Sequence, residues 1–249
     1  MIRSNHENRT TTLTLARPES RNALTPEMLG ALCEAIATIP EDAGAVVLRG
    51  DGPAFCAGFD LNLCRDDPDG AALASLLTGL SRAIEALRAQ SAPVIAVVQG
   101  AAIAGGCALL GGADFVIATT DARFGYPVTR LGISPSVSAP TLVGSIAGGA
   151  VRSLLLDSGL VPATEAQRLG LVGEIHPDHA AADARSVEVA QLLSSKGPAA
   201  IRTTRRLLQE LGGPSSAWAE AGLARSLGLV GGPEQKELLP RAWAARPSR

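Results

Sequence analysis

Two short stretches of this 249-residue chain are devices of the backbone: Ala57-Gly58-Phe59-Asp60 and Ala104-Gly105-Gly106-Cys107. In the second, a glycine-rich turn opens into a helix, whose first N–H groups lack partners and sit at the positive end of the helix dipole. If the N–H groups of Phe59 and Gly105 converge, they can grip an oxygen on which negative charge builds. Removing one such donor typically costs about 2.7–4 kcal/mol of transition-state stabilisation. Taken alone, these glycines point more readily to tight turns and close helix packing. Side chains able to move protons are sparse around them. Candidates are Asp66, Asp67 and Asp69 on the loop that follows, Tyr126 (the only tyrosine), and Ser134, Ser136 and Ser138. No carboxylate occurs from Arg123 through Leu156. A serine without a nearby base is a poor proton carrier. The three histidines are His6, in the N-terminal tail, and His176 and His179, in a polar loop before a helix. A Ser–His hydrolase is therefore not expected.

The elements that must hold these stretches are legible from periodicity. Thr10 to Ala16 alternates as a half-buried strand does. Thr25-Pro26-Glu27 supplies a cap hydroxyl, a proline at the first helical position and an early acid, so a helix starts there. Ala45 to Arg49 and Val94 to Val98 read as buried strands, and Phe115 to Ala118 as another. Leu73, Leu76, Leu77, Leu80, Ile84 and Leu87 fall at helical spacing. From about Pro140 the chain reads as mostly helical, with Thr164 as a cap, Gly170 as a stop and two last helices after Lys196-Gly197-Pro198. Strand–strand–helix repeats argue for an α/β domain over residues 1–195, followed by a helical region over residues 196–249.

Composition narrows the class. Hydrophobic residues make up 46% and charged residues 18%, which predicts a folded domain rather than disorder. A net charge of −2 gives no reason to expect a nucleic-acid surface or a polybasic membrane anchor. Cys33, Cys56, Cys64 and Cys107 show no C-x-x-C spacing, which predicts reduced thiols in a cytoplasmic protein and no zinc site. The uncharged stretch between Arg88 and Asp114 is long enough for a membrane span, yet Pro93, Gln99 and five glycines interrupt it. A buried strand followed by a buried helix accounts for it better.

The joint order and spacing of several motifs goes further. Arg21-Asn22-Ala23-Leu24, Phe55-Cys56-Ala57-Gly58-Phe59-Asp60-Leu61, Gly100 to Cys107, Gly112-Ala113-Asp114, Phe124-Gly125-Tyr126-Pro127, Leu131-Gly132-Ile133 and Ala166 to Val172 resemble the enoyl-CoA hydratase/isomerase (crotonase) family. The resemblance covers roughly residues 10–210. It implies an α/β crotonase (ClpP-like) spiral of ββα units with a helical C-terminal trimerisation region, as a homotrimer or homohexamer. The ligand it implies is an acyl-CoA thioester, with coenzyme A entering as part of the substrate and no separate cofactor. Phe59 and Gly105 would form the oxyanion hole. Arg21, Ala23 and Leu24 would lie near the CoA phosphates and pantetheine, and Ala57, Asp60 and Leu61 near the adenine end. A permanent cation in an exposed loop suits Arg21 to phosphate. Asp60 is expected to stabilise its turn, and Asp114 to cap or ion-pair.

The chain departs from that pattern where protons move. Family hydratases hold and deprotonate a water with two glutamates, and the matching positions here are Ala108 and Val128. A third position used by some relatives is Ser136. Ala108, Tyr126, Val128 and Ser136 are thus the expected acyl-pocket residues, without a standard acid or base among them. Arg130 adds a cation beside that pocket, which favours an acyl group bearing a carboxylate. Two functions follow from this: an acyl-CoA enzyme with a non-standard acid/base, or a catalytically deficient acyl-CoA-binding protein.

Overall fold

Residues 1–67, 69–146, 148–157, 159–212 and 215–244 are described by a computed structural model. Nine strands and ten α-helices form among them. In chain order they are β1 (Ile2–Glu7), β2 (Thr10–Leu15), α1 (Pro26–Ala37), β3 (Ala45–Gly50), α2 (Ala71–Arg88), β4 (Val94–Val98), β5 (Ala101–Ile103), α3 (Gly105–Leu109), β6 (Phe115–Thr119) and β7 (Arg123–Gly125). There follow α4 (Ala139–Ser145), α5 (Gly148–Leu156), β8 (Leu160–Pro162), α6 (Ala163–Leu169), β9 (Glu174–His176), α7 (His179–Ser194), α8 (Pro198–Gly212), α9 (Ser216–Leu227) and α10 (Pro233–Ala244).

The larger sheet has the order β1-β2-β3-β4-β6-β9 and is parallel except for β1, which pairs antiparallel with β2. The smaller sheet has the order β5-β7-β8. Side chains of a strand alternate between faces, and here both faces of the large sheet are covered. Val46, Leu48, Val94, Ala96 and Val98 enter the main core with Leu29 and Leu32 of α1 and Leu76, Leu80 and Ile84 of α2. Ala45, Val47, Ile95, Val97 and Ile117 face Ala182, Val189, Ala190 and Leu193 of α7. Covering on both sides is why β4 reads as an unbroken apolar run. The uncharged stretch is thus β4, β5 and α3. Among the described residues, no helix is long and apolar enough to cross a membrane.

The α1 start is as expected: the Thr25 side chain accepts from the Met28 N–H, and Pro26 is the first helical residue. Other expectations need correction. Residues Ile2–Glu7 form an edge strand rather than a tail, and His6 sits on it. His176 ends β9 and His179 opens α7, so neither lies in a loop. Thr164 lies inside α6, whose cap position is Pro162, because β8 runs directly into the helix. Gly170 does end α6, in the left-handed conformation at φ 90°. Three helices, not two, follow Gly197.

These helices are tied to the core through Arg205 of α8, whose side chain is only 6% exposed. Its guanidinium donates to Asp114 Oδ2 at 2.7 Å, to the Arg88 carbonyl at 2.8 Å and to the Leu87 carbonyl at 3.1 Å, and also to the Gln90 carbonyl. One side chain thereby adds a donor to three carbonyls at and just past the end of α2, where intrahelical partners run out, and Gln209 Nε2 joins it on that of Arg88. Asp114 also accepts from the Val94 N–H at 2.7 Å, so its role is the ion pair and cap expected of it.

Candidate active site

Strand register brings the two glycine-bearing stretches together. The Phe55 N–H donates to the Gln99 carbonyl and the Cys56 N–H to the Ala101 carbonyl, both at 2.8 Å, and the Ile103 N–H returns to the Cys56 carbonyl at 3.0 Å. Cys56 therefore pairs in parallel with Ala102, while Phe59 bridges to Leu24, and three residues beyond the first pair the Phe59 ring meets Gly105. Close packing confirms that approach. A Cβ on Gly105 would lie 3.1 Å from Cε1 of Phe59 and 3.1 Å from Cδ1 of Leu24. At Gly106 a Cβ would come within 2.4 Å of the Cys56 carbonyl oxygen, so only glycine allows the two backbones this close. Leu24 lies on the other side of Phe59: its N–H donates to the Gly58 carbonyl at 2.7 Å, and its carbonyl accepts from Asp60 at 2.9 Å.

The residue between these contacts is strained. Ala104 is held at φ 50°, ψ −109°, a region that glycine favours. Such conformations cost on the order of 1–3 kcal/mol and persist where the surroundings over-determine them. Here the Ala104 N–H donates to the Gly125 carbonyl at 2.8 Å, and its own carbonyl accepts from Ala108 at 2.8 Å. Among the described residues, neither the Phe59 nor the Gly105 N–H is paired with a backbone acceptor.

A cavity of about 550 Å³ opens beside this junction. Ala57, Gly58, Phe59 and Leu61 line one side, and Ile103 and Ala104 another. The turn Pro127 to Ile133 supplies Pro127, Val128, Arg130, Leu131 and Ile133, while Leu238 and Arg241 of α10 complete the wall. Of the expected site residues, Ala57, Phe59, Leu61 and Val128 line it. Gly105 is buried directly behind Ala104. Ala108 and Tyr126 are buried in the core and do not reach the wall. Ser136 is half-buried, its hydroxyl hydrogen-bonded to that of Ser134, away from the wall.

The loop expected near coenzyme A is organised by two residues. Asn22 is fully buried at φ 54°. Its Oδ1 accepts from the Arg17 N–H at 2.8 Å, and its Nδ2 donates to the Asp51 and Ala54 carbonyls at 2.9 and 2.8 Å. Arg17 donates to the Ala23 carbonyl at 2.6 Å and pairs with Asp60 at 3.3 Å. Asp60 also accepts from Asn62 Nδ2 at 3.1 Å, so its carboxylate holds the turn. Arg21 is exposed on this loop, and its carbonyl accepts from the Ala57 N–H at 3.0 Å. Ala23 is half-buried and Leu24 fully buried.

Proton carriers are scarce at the cavity. Among the described residues, no aspartate, glutamate, histidine, cysteine or tyrosine lines it. The Tyr126 hydroxyl is buried beside Cys107 and Ser138 without a well-formed hydrogen bond. Burial, with the Cys107 sulfur next to it, pushes its pKa well above the ordinary value. Burial likewise pushes the Cys107 thiol up to about 11. Neither group yields a proton near neutrality. Asp67 caps α2 by accepting from the Ala72 N–H, while Asp66 and Asp69 are exposed. This loop packs on the turn at Val230 and Gly231 rather than over the cavity.

The family model for enoyl-CoA hydratase/isomerase matches residues 5–212. This chain belongs to that family, within the crotonase superfamily. Enoyl-CoA hydratase EchA19 of Mycobacterium tuberculosis is 35% identical over 204 residues, covering 80% of this chain and 76% of the relative. The crystal structure of an enoyl-CoA hydratase/isomerase from Pseudoalteromonas atlantica superposes with a TM-score of 0.84 at 26% identity, covering 100% of this chain and 98% of the other. One from Xanthobacter autotrophicus gives 0.84 at 28% identity, covering 99% and 98%. The crotonase fold expected from the motifs is the fold observed. Three contributions to the site were not anticipated: the Arg17–Asp60 pair, the Asn22 hub and the α10 wall with Leu238 and Arg241. Asn22 stood inside a motif, but α10 carries no motif that could have marked it.

Proposed function

We propose that this crotonase-family chain binds an acyl-CoA thioester and polarises its carbonyl between the N–H groups of Phe59 and Gly105. The observation that carries this reading is the Cys56–Ala102 register, which sets Phe59 against Gly105 at the cavity edge with a strained Ala104 between them. Donors fixed in a partly dry site stabilise a developing enolate without reorganising at the moment of reaction. Arg21 lies toward the phosphates, and the acyl group rests against Val128. Coenzyme A arrives with the substrate, and no other cofactor is needed for this chemistry.

Ala108 and Val128 stand where family hydratases carry their glutamates, so turnover here uses a different acid/base or a reaction in which the substrate supplies its own. One observation favours a second reading, binding without turnover: among the described residues, the cavity wall carries no group that titrates near neutral pH. Leu207, Leu208 and Leu211 of α8 are exposed, which supports self-association as a trimer or hexamer. The test is purified protein with crotonyl-CoA, followed by calorimetry and by loss of the enoyl absorbance. Binding with turnover supports the enzyme, binding alone supports the second reading, and no binding overturns both.

A further inference from the structure

Ala104 carries a side chain in a junction otherwise built on glycine. Gly58 beside it is held at φ 95°, and Gly106 lies too close to the Cys56 carbonyl for any Cβ. Ala104 is also at positive φ, and its φ 50°, ψ −109° lies outside the left-handed helical region. That region, near about φ 57° and ψ 47°, is where non-glycine residues with positive φ mostly sit. Glycine would adopt the Ala104 conformation without strain, so the methyl is kept at some loss to the fold. Its surroundings indicate what it does. Ala104 is half-buried and lines the cavity. Its Cβ faces Gly58, 3.5 Å from where a Cβ on that residue would stand. The same methyl adjoins the peptide group that presents the Gly105 N–H. Strained residues of this kind gather where a ligand is handled.

We propose that the Ala104 methyl selects the acyl group, by excluding those branched at the carbon next to the thioester carbonyl. The proposal rests on the acyl-CoA reading above and narrows it to thioesters unbranched at that α-carbon. An oxygen held by the Gly105 N–H brings the α-carbon up to the wall that Gly58, Phe59 and Ala104 form. An unbranched α-carbon fits between the Ala104 methyl and Gly58. A branch there needs the space the methyl fills, and a tightly packed wall takes an added methyl only by shifting backbone or side chains.

Propionyl-CoA and isobutyryl-CoA differ by one methyl on the α-carbon, and neither can be hydrated, so calorimetry on the full chain compares binding alone. An apolar pocket with room for that methyl would bind isobutyryl-CoA more tightly. The wild type should instead bind it at least about tenfold more weakly than propionyl-CoA, the scale on which pockets reject one extra carbon. In Ala104→Gly the order should level or reverse. Urea unfolding should place this variant at or above the wild type, because the strain at positive φ is gone. Isobutyryl-CoA binding the wild type as tightly as propionyl-CoA would overturn the proposal and leave the acyl-CoA reading standing. The same ratio in wild type and variant would also overturn it, as would a clear loss of stability in the variant, which makes the methyl a packing group of the fold. If neither thioester nor free coenzyme A binds the wild type, the acyl-CoA reading falls and the proposal with it.

Discussion

The ring of Phe59 lies over the α-carbon of Gly105, leaving 3.1 Å for any Cβ placed there, and Leu24 closes the other side at the same distance. Contacts this tight demand that a neighbour shift by a few tenths of an ångström. Gly105→Ala is therefore expected to cost about 1–2 kcal/mol, through overpacking alone, because the N–H survives. Denaturant unfolding measures this. An unchanged midpoint would mean the ring is not held where it is described.

Asn22 predicts a coupling between loop order and coenzyme binding. Its amide nitrogen donates to two carbonyls, the half-buried one of Asp51 and the buried one of Ala54. Asn22→Asp replaces donors by oxygen against oxygen, with an expected loss on the order of 2 kcal/mol or more. Because Arg21 immediately precedes this hub and its carbonyl holds Ala57, affinity for free coenzyme A should fall as well. Calorimetry beside denaturant unfolding reads both quantities, and retention of both would remove Asn22 from its place as organiser.

Arg205 predicts how firmly the C-terminal helices are held. Arg205→Met leaves Asp114 without its cation and uncovers the carbonyls at the end of α2. Removing one partner of a buried pair typically costs about 3–5 kcal/mol, and the partial exposure of Asp114 puts the expected value near the lower figure. Lysine should rescue little, since it cannot reach three carbonyls and a carboxylate at once. A variant as stable as the wild type in urea would contradict the anchor.

The cysteines predict an alkaline limit. Burial pushes Cys56 up to about 12, and Cys64 and Cys107 up to about 11, against 9.0 for an unperturbed thiol. Each holds its proton more tightly folded than unfolded. Their contribution is therefore whole below pH 9 and is lost as the pH rises toward 11–12. Urea midpoints should stay level to about pH 9 and then fall, and native protein at pH 8 should offer a thiol reagent no site faster than half-buried Cys33. Rapid labelling of Cys56 or Cys107 without unfolding would contradict the packing around them.

Legibility followed burial. β4 and α2 were readable because each buries a regular set of apolar side chains, and the start of α1 because Thr25 and Pro26 are local signals. β1 was not, since five of its six residues are exposed and show no alternation. The candidate hole was visible as two motifs, but their meeting depends on the Cys56–Ala102 register, which joins residues far apart in the chain. Tyr126 and Ala108 were expected at the acyl pocket from motif position. Their burial behind its wall is set by how β7 and α3 pack, which spacing alone does not express. Arg241 lies past the stretch that the family resemblance covers and Arg205 in no motif that carries it, and an arginine on a polar helix looks the same whether it is solvated, buried or on a cavity wall.

The central claim is that two backbone N–H groups polarise a thioester carbonyl, and vibrational spectroscopy tests it whether or not turnover follows. Valeryl-CoA labelled with carbon-13 at the thioester carbonyl should show its C=O stretch moved to lower frequency on binding the wild type. In folded Gly105→Pro, which lacks that N–H, most of the shift should disappear while the thioester still binds. A carbonyl band at its solution position in the wild-type complex, or an equal shift in both proteins, would contradict the account.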